Sequence, residues 1–209
     1  MKRYLFILGI IGMITFSCHK VKKLKDDISS RKYIPQLVLS PADSVATIYS
    51  PTCSESIPFP TDSTQFVLID VDKDGFNDFK FTYSASYNFV SSIDSCENHN
   101  SQIVVEAIGS ENRVIVDEDN AENVRVFAVD DEIKISSSIA VNATIFLDDA
   151  SISEDVILET GNKYLGVKLA SNTVGWIKVY HDRGTFRFAI LEHAFNRTFQ
   201  LNIKAGQTQ

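Results

Sequence analysis

From Gln65 to Ile203, short runs of β-branched and aromatic residues alternate with polar turns, and no long segment has the i, i+3, i+4 spacing of an amphipathic helix. That pattern confines the chain to an all-β architecture. Candidate strands are Gln65–Ile69, Phe79–Phe89, Ile103–Ile108, Arg113–Val116, Val124–Val129, Ala140–Phe146, Tyr164–Leu169, Trp176–Tyr180, Thr185–Leu191 and Phe199–Ile203. About ten strands with turns at close spacing predict an antiparallel β-sandwich, jelly-roll-like in outline. In Phe79-Lys80-Phe81-Thr82-Tyr83 and Phe186-Arg187-Phe188 the alternation puts one sheet face in the core and the other in water. The sequence has no repeat of useful length, which argues against a propeller or solenoid.

The first residues have the order that secretion requires. Lys2 and Arg3 precede an apolar run from Leu5 to Phe16, and the small residue Ser17 stands before Cys18. The run is short for a membrane span. Thr15-Phe16-Ser17-Cys18 resembles a lipobox, with Thr where Leu is usual and a bulky Phe after it. That resemblance implies a signal peptide over 1–17 and lipidation of Cys18. A plain secretory signal with a chance cysteine is the alternative. Residues 18–36, rich in Lys and Ser, read as a lipidated tether, and 37–209 as the β-sandwich domain. All five prolines, at positions 35, 41, 51, 58 and 60, lie near the entry to this domain, where irregular or edge structure is expected.

Charge and cysteine content narrow the partners. Eight of the 20 Lys and Arg residues fall in 1–32 with only two of the 27 Asp and Glu, so the remainder carries a net charge near −13. Such a surface repels phosphate backbones, and nucleic-acid binding is not expected. The three cysteines are an odd number for an exported chain. Lipidation of Cys18 would leave Cys53 and Cys96 as a candidate disulfide, with two unpaired core cysteines as the alternative.

The segment richest in chemistry is Asp70-Val71-Asp72-Lys73-Asp74-Gly75-Phe76-Asn77-Asp78, a D-x-D-x-D-G-x-x-D spacing between two apolar runs. Calcium requires six to eight hard oxygens, and alternating carboxylates on a glycine turn can wrap them around one ion. The predicted ligands are Asp70, Asp72, Asp74 and Asp78 with the backbone carbonyl of Phe76. An EF-hand is excluded, because its twelfth position would be Phe81 and the flanks read as strands. The loop resembles the calcium loops of integrin-type β-propeller repeats, in which two strands bracket the ion. A plain Asp-Gly hairpin is the competing reading. The clusters Asp117-Glu118-Asp119, Asp130-Asp131-Glu132 and Asp148-Asp149 lack the glycine and the alternation, and read as solvated turns.

Farther on, Tyr164-Leu165-Gly166-Val167, then Gly175-Trp176-Ile177, then Ala194-Phe195-Asn196 follow the upstream aspartate loop. This order resembles uncharacterised secreted lipoproteins of Gram-negative bacteria, which implies a lipid-anchored location at the outer membrane or cell surface and carries no activity with it. Trp176, the single tryptophan, is expected in a sheet core. The sequence holds no G-x-S-x-G, H-E-x-x-H, Cys-x-x-Cys or phosphate-cradling glycine loop, and the chain is read as non-catalytic. His99, His181 and His193 are expected in surface or capping roles. The expected function is an envelope module presenting a binding surface to a glycan or protein. One alternative is a carbohydrate-binding module with Tyr83, Tyr87 and Phe89 as its stacking platform. A glycan-cleaving carboxylate pair, which needs no local motif, is another.

Overall fold

The computed structural model describes residues 27–39, 45–48, 57–60, 65–87, 99–149, 157–182, 187–199 and 201–209, with 45–48, 57–60, 85–87, 99–100 and 148–149 described by backbone alone. Residues 1–26, Cys53, Phe89 and Cys96 lie outside them, and with them the signal segment, the lipidation site and the candidate disulfide. In chain order the strands are β1 (Ile28–Leu39), β2 (Val45–Ile48), β3 (Ile57–Pro60), β4 (Gln65–Ile69), β5 (Phe79–Tyr87), β6 (His99–Ala107), β7 (Arg113–Ile115) and β8 (Val126–Phe127). There follow β9 (Glu132–Ile133), β10 (Ile139–Ala140), β11 (Asn142–Asp149), β12 (Gly161–Lys168), β13 (Val174–Asp182), β14 (Arg187–Asn196) and β15 (Ile203–Lys204). No helix occurs among the described residues.

The strands form an antiparallel sandwich, as the alternation predicts. One sheet has the order β11-β6-β5-β4 and the other β1-β14-β13-β12-β7-β10, with β8 pairing beside β7 on β12. Register aligns the inward residues. Phe79, Phe81 and Tyr83 face Ala107, Val105 and Ile103 across β5 and β6, and Val105 and Ile103 face Ala143 and Ile145 across β6 and β11. All are buried, together with Leu165, Val167, Ile177, Val179, Phe188 and Ile190 of the opposite sheet. The Phe81 and Phe188 rings stack at 6.5 Å between centroids, tying β5 to β14. Burying each such side chain contributes roughly 1.5–3 kcal/mol, which makes this core the main stabilising element.

The larger sheet is covered on its outer face as well. Ile115, Phe127, Tyr164, Trp176 and Ala194 pack there beneath Ile133, Ile203 and Ala205 from the small β9–β15 pair and its flank. Trp176 is fully buried, as expected, and its Nε1 donates to the carbonyl of Gln207 at 3.1 Å. A strand buried on both faces loses the polar alternation of a half-exposed one, hence the continuous run Val174-Gly175-Trp176-Ile177 in β13.

The expected tether through residue 36 is corrected. Residues 28–36 belong to β1, which pairs with β14 from Ile28↔Asn196 onward. Only Ser29, Tyr33 and Leu39 of β1 are buried. An edge strand needs little apolar sequence, so Lys- and Ser-rich composition concealed it. The short β2–β3 pair, containing Pro58 and Pro60, lies in the proline-rich entry.

Candidate metal centre

The hairpin between β4 and β5 is closed by the Asp78 amide, which donates to the carbonyl of Ile69 at 2.7 Å. Within it Lys73 (φ 65°) and Gly75 (φ 94°) take left-handed conformations that reverse the chain. The aspartates fix this path by accepting from nearby amides, the local bonding that favours Asp in turns. Asp70 Oδ1 accepts from Lys73 at 2.6 Å and its Oδ2 from Gly75 at 3.0 Å. Asp72 Oδ1 accepts from Asp74 at 3.2 Å, and Asp74 Oδ1 from Phe76 at 2.8 Å. Asp78 is buried. Its Oδ2 accepts from the amides of Val71 and Asp72 at 2.8 and 3.3 Å, and its Oδ1 from Asn112 Nδ2 at 2.8 Å.

These constraints bring part of the predicted ligand set together. Asp70, Asp72 and Asp78 each offer a carboxylate oxygen, and the three oxygens lie within 4.8 Å of one another. Oxygens sharing one calcium ion, each about 2.3–2.6 Å from it, are at most about 5 Å apart, so this spacing is compatible with a common cation. Asp74 stands outside the group and is exposed, and so is the side chain of Phe76. Among the described residues no other group of three His, Cys, Asp or Glu side chains converges in this way.

The electrostatics favour a counter-charge. Burial raises the Asp72 carboxyl above its ordinary value, and the charges of Asp78, Asp74 and Asp70 add to the rise. Burial also raises Asp78, although its three hydrogen bonds oppose the shift. The cation within the loop, Lys73, directs its ammonium to β1, donating to the carbonyl of Ser30 at 2.9 Å and to Ser29 Oγ at 3.4 Å. It therefore staples the loop to the opposite sheet.

Sequence reasoning missed Asn112. Besides donating to Asp78, its Nδ2 donates to the carbonyl of Ile108 at 2.9 Å, and its Oδ1 accepts from the amide of Ala170 at 2.7 Å. One carboxamide thus joins the acidic loop to the β12–β13 turn. A lone Asn after Gly109-Ser110-Glu111 reads only as a turn residue, and the long-range partners leave no local signature.

Two other expectations are corrected, and a third holds in part. Tyr83, placed in the sugar-stacking platform, is fully buried on the inner face of β5 and offers no ring to solvent. Alternation identifies two faces without saying which is wet. His181 and His193 are buried where surface or capping roles were expected. Asp117, Glu118, Asp119, Asp130 and Asp131 are exposed residues outside the strands, as predicted, whereas the exposed Glu132 opens β9 and Asp148 and Asp149 end β11, where backbone pairing and not apolar pattern makes the strand.

Compared with protein-family models, with curated proteins and with solved structures, the chain matches none.

Proposed function

We propose that this chain is a non-catalytic, lipid-anchored envelope protein whose β-sandwich is stabilised by calcium and presents a binding surface to a glycan or protein. The observation that carries the calcium reading is the convergence of Asp70, Asp72 and Asp78 on one small volume. Hard carboxylate oxygens suit calcium better than softer metals, with Asp74, a backbone carbonyl such as that of Phe76, and water available to complete the shell. The ion would cancel the repulsion that raises Asp72 and Asp78 and would fix the hairpin end of the smaller sheet.

Export and anchoring rest on the basic start, the apolar run Leu5 to Phe16 and Cys18. The resemblance to secreted Gram-negative lipoproteins supports the same location. The surface on offer is the outer face of the four-stranded sheet, where Phe66 and Leu68 of β4 remain exposed beside Lys80.

Calcium titration of the purified domain tests the central claim. A ligand bound only by the native state raises the melting temperature, and sites of this kind respond at about 10⁻⁴–10⁻³ M ion. A melting temperature indifferent to 10 mM calcium, ~10-fold above that range, would reject the reading. Labelling with a palmitate analogue, present in the native chain and absent in Cys18→Ser, tests the anchor.

A further inference from the structure

We propose that β1 is an acid-releasable strap, held closed over the neutral side chain of His193 and freed when that imidazole takes up a proton. His193 lies on β14, directly across from Arg31 of β1 and Ile177 of β13, and is wholly buried. Its Nδ1 meets the Tyr33 hydroxyl of β1 at 2.9 Å, with the two rings edge to face at 5.5 Å. Its Nε2 has no hydrogen-bond partner among the described residues.

A neutral ring tolerates this arrangement, since one nitrogen can accept from Tyr33. An imidazolium must donate from both nitrogens, and among the described residues nothing receives the second proton. The charged groups whose fields reach the ring are Arg31 of β1 with Lys73 and Asp70 of the β4–β5 loop, two cations against one anion. From β13 the register partner is the apolar Ile177, and Glu192 of β14 pairs with Lys178 and Lys32 at the alternate register position. Burial, reinforced by Lys73 and Arg31, holds the ring's proton affinity down to about 4 from 6.5. Tyr33 is pushed up to about 12 by its own burial, so it stays a neutral hydroxyl throughout.

The element that yields is set by the packing. To hydrate the ring from the other side would mean separating β13 from β14, which carry residues of both cores. β1 is an edge strand with three buried side chains, and its pairing with β14 is interrupted between Lys32 and Leu37. Lifting Tyr33, whose ring packs edge to face on the imidazole, opens the ring to water at the smallest loss of buried surface.

The sign follows from linkage. The closed form binds its proton more weakly than the opened form, so closure is fully favoured above 6.5 and loses about tenfold in its equilibrium constant per pH unit down to about 4. Hydrogen exchange of the protein between pH 7 and pH 4.5, expressed as protection factors, reads this directly. The expected result is that β1 amides lose protection about tenfold per unit below 6.5 while those of β12 and β13 keep theirs, and that His193→Gln abolishes the slope. If β1 keeps its protection, if all strands lose theirs together, or if the slope survives His193→Gln, the proposal is overturned. Should that variant fail to fold, the imidazole resonances of the native chain decide. A His193 that titrates near 6.5 overturns the strap, and one that titrates only as β1 opens supports it.

Discussion

Asn112 and Asp78 form a buried pair, with the carboxamide donating to Oδ1 at 2.8 Å while the other carboxylate oxygen serves the amides of Val71 and Asp72. Because Asn112 also receives the Ala170 amide, the pair links the acidic loop of one sheet to a turn of the other.

Replacing Asn112 with Ala leaves a buried carboxylate oxygen, the Ile108 carbonyl and the Ala170 amide short of partners. A hydrogen bond to a charged group is worth about 1.5–3 kcal/mol, and stranded buried groups add their desolvation cost. Urea unfolding should show a loss of about 3 kcal/mol. A variant within about 0.5 kcal/mol of the native chain would mean that the link carries no weight.

Asp72→Asn should separate charge relief from ion binding. Asp72 and Asp78 ionise less readily in the folded chain than at their ordinary value of 3.8, so the fold holds more protons than the unfolded chain between that value and the raised ones. Their contribution makes the ion-free protein lose stability as pH climbs through that window, and the penalty persists above it. The neutral variant should therefore melt higher than the native chain without calcium at pH 7 and gain little when calcium is added. Thermal melts of both proteins with and without ion check the two halves independently.

Gly175→Ala should be worse than Gly166→Ala. A methyl group at 175 would sit 2.5 Å from the Ala194 carbonyl oxygen, which is backbone, whereas at 166 it meets the Ile115 and Phe127 side chains at 2.9 and 3.0 Å. Side chains can shift more easily than a strand held by its ladder. Overpacking typically costs about 1–3 kcal/mol, and denaturation curves should place Gly175→Ala at or above the top of that range.

Much of the core was legible because burial imposes period two. Phe79-Lys80-Phe81-Thr82-Tyr83 became β5 with its odd positions inside, and the Gly-Trp-Ile segment became a central strand. β1 was not legible, since its hold on the sheet comes from backbone pairing with β14 and from Tyr33, Lys73 and Ser29 contacts made at long range. The two-residue strands β8, β9, β10 and β15 are too short to show a period. In the acidic loop the spacing found Asp70, Asp72 and Asp78 but could not show that Asp74, exposed on the turn, stands outside the group they form.

Removing residues 203–209 should expose the single tryptophan. Trp176 loses the Gln207 carbonyl and the cover of Ile203 and Ala205. Its emission should move to longer wavelength, with a stability loss of about 3 kcal/mol from the uncovered apolar surface. Emission unchanged by the truncation would contradict the packing described for the outer face.

That outer layer also bears on how the molecule is made. β12, β13 and β14 precede Ile203 and Ala205 in the chain, so a copy in which these strands have paired but the β15 segment has not docked leaves the Trp176 side of the sheet bare and adhesive. Contact with neighbouring copies is a hazard until that segment docks, and a chaperone acting on this protein would find its target in that interval.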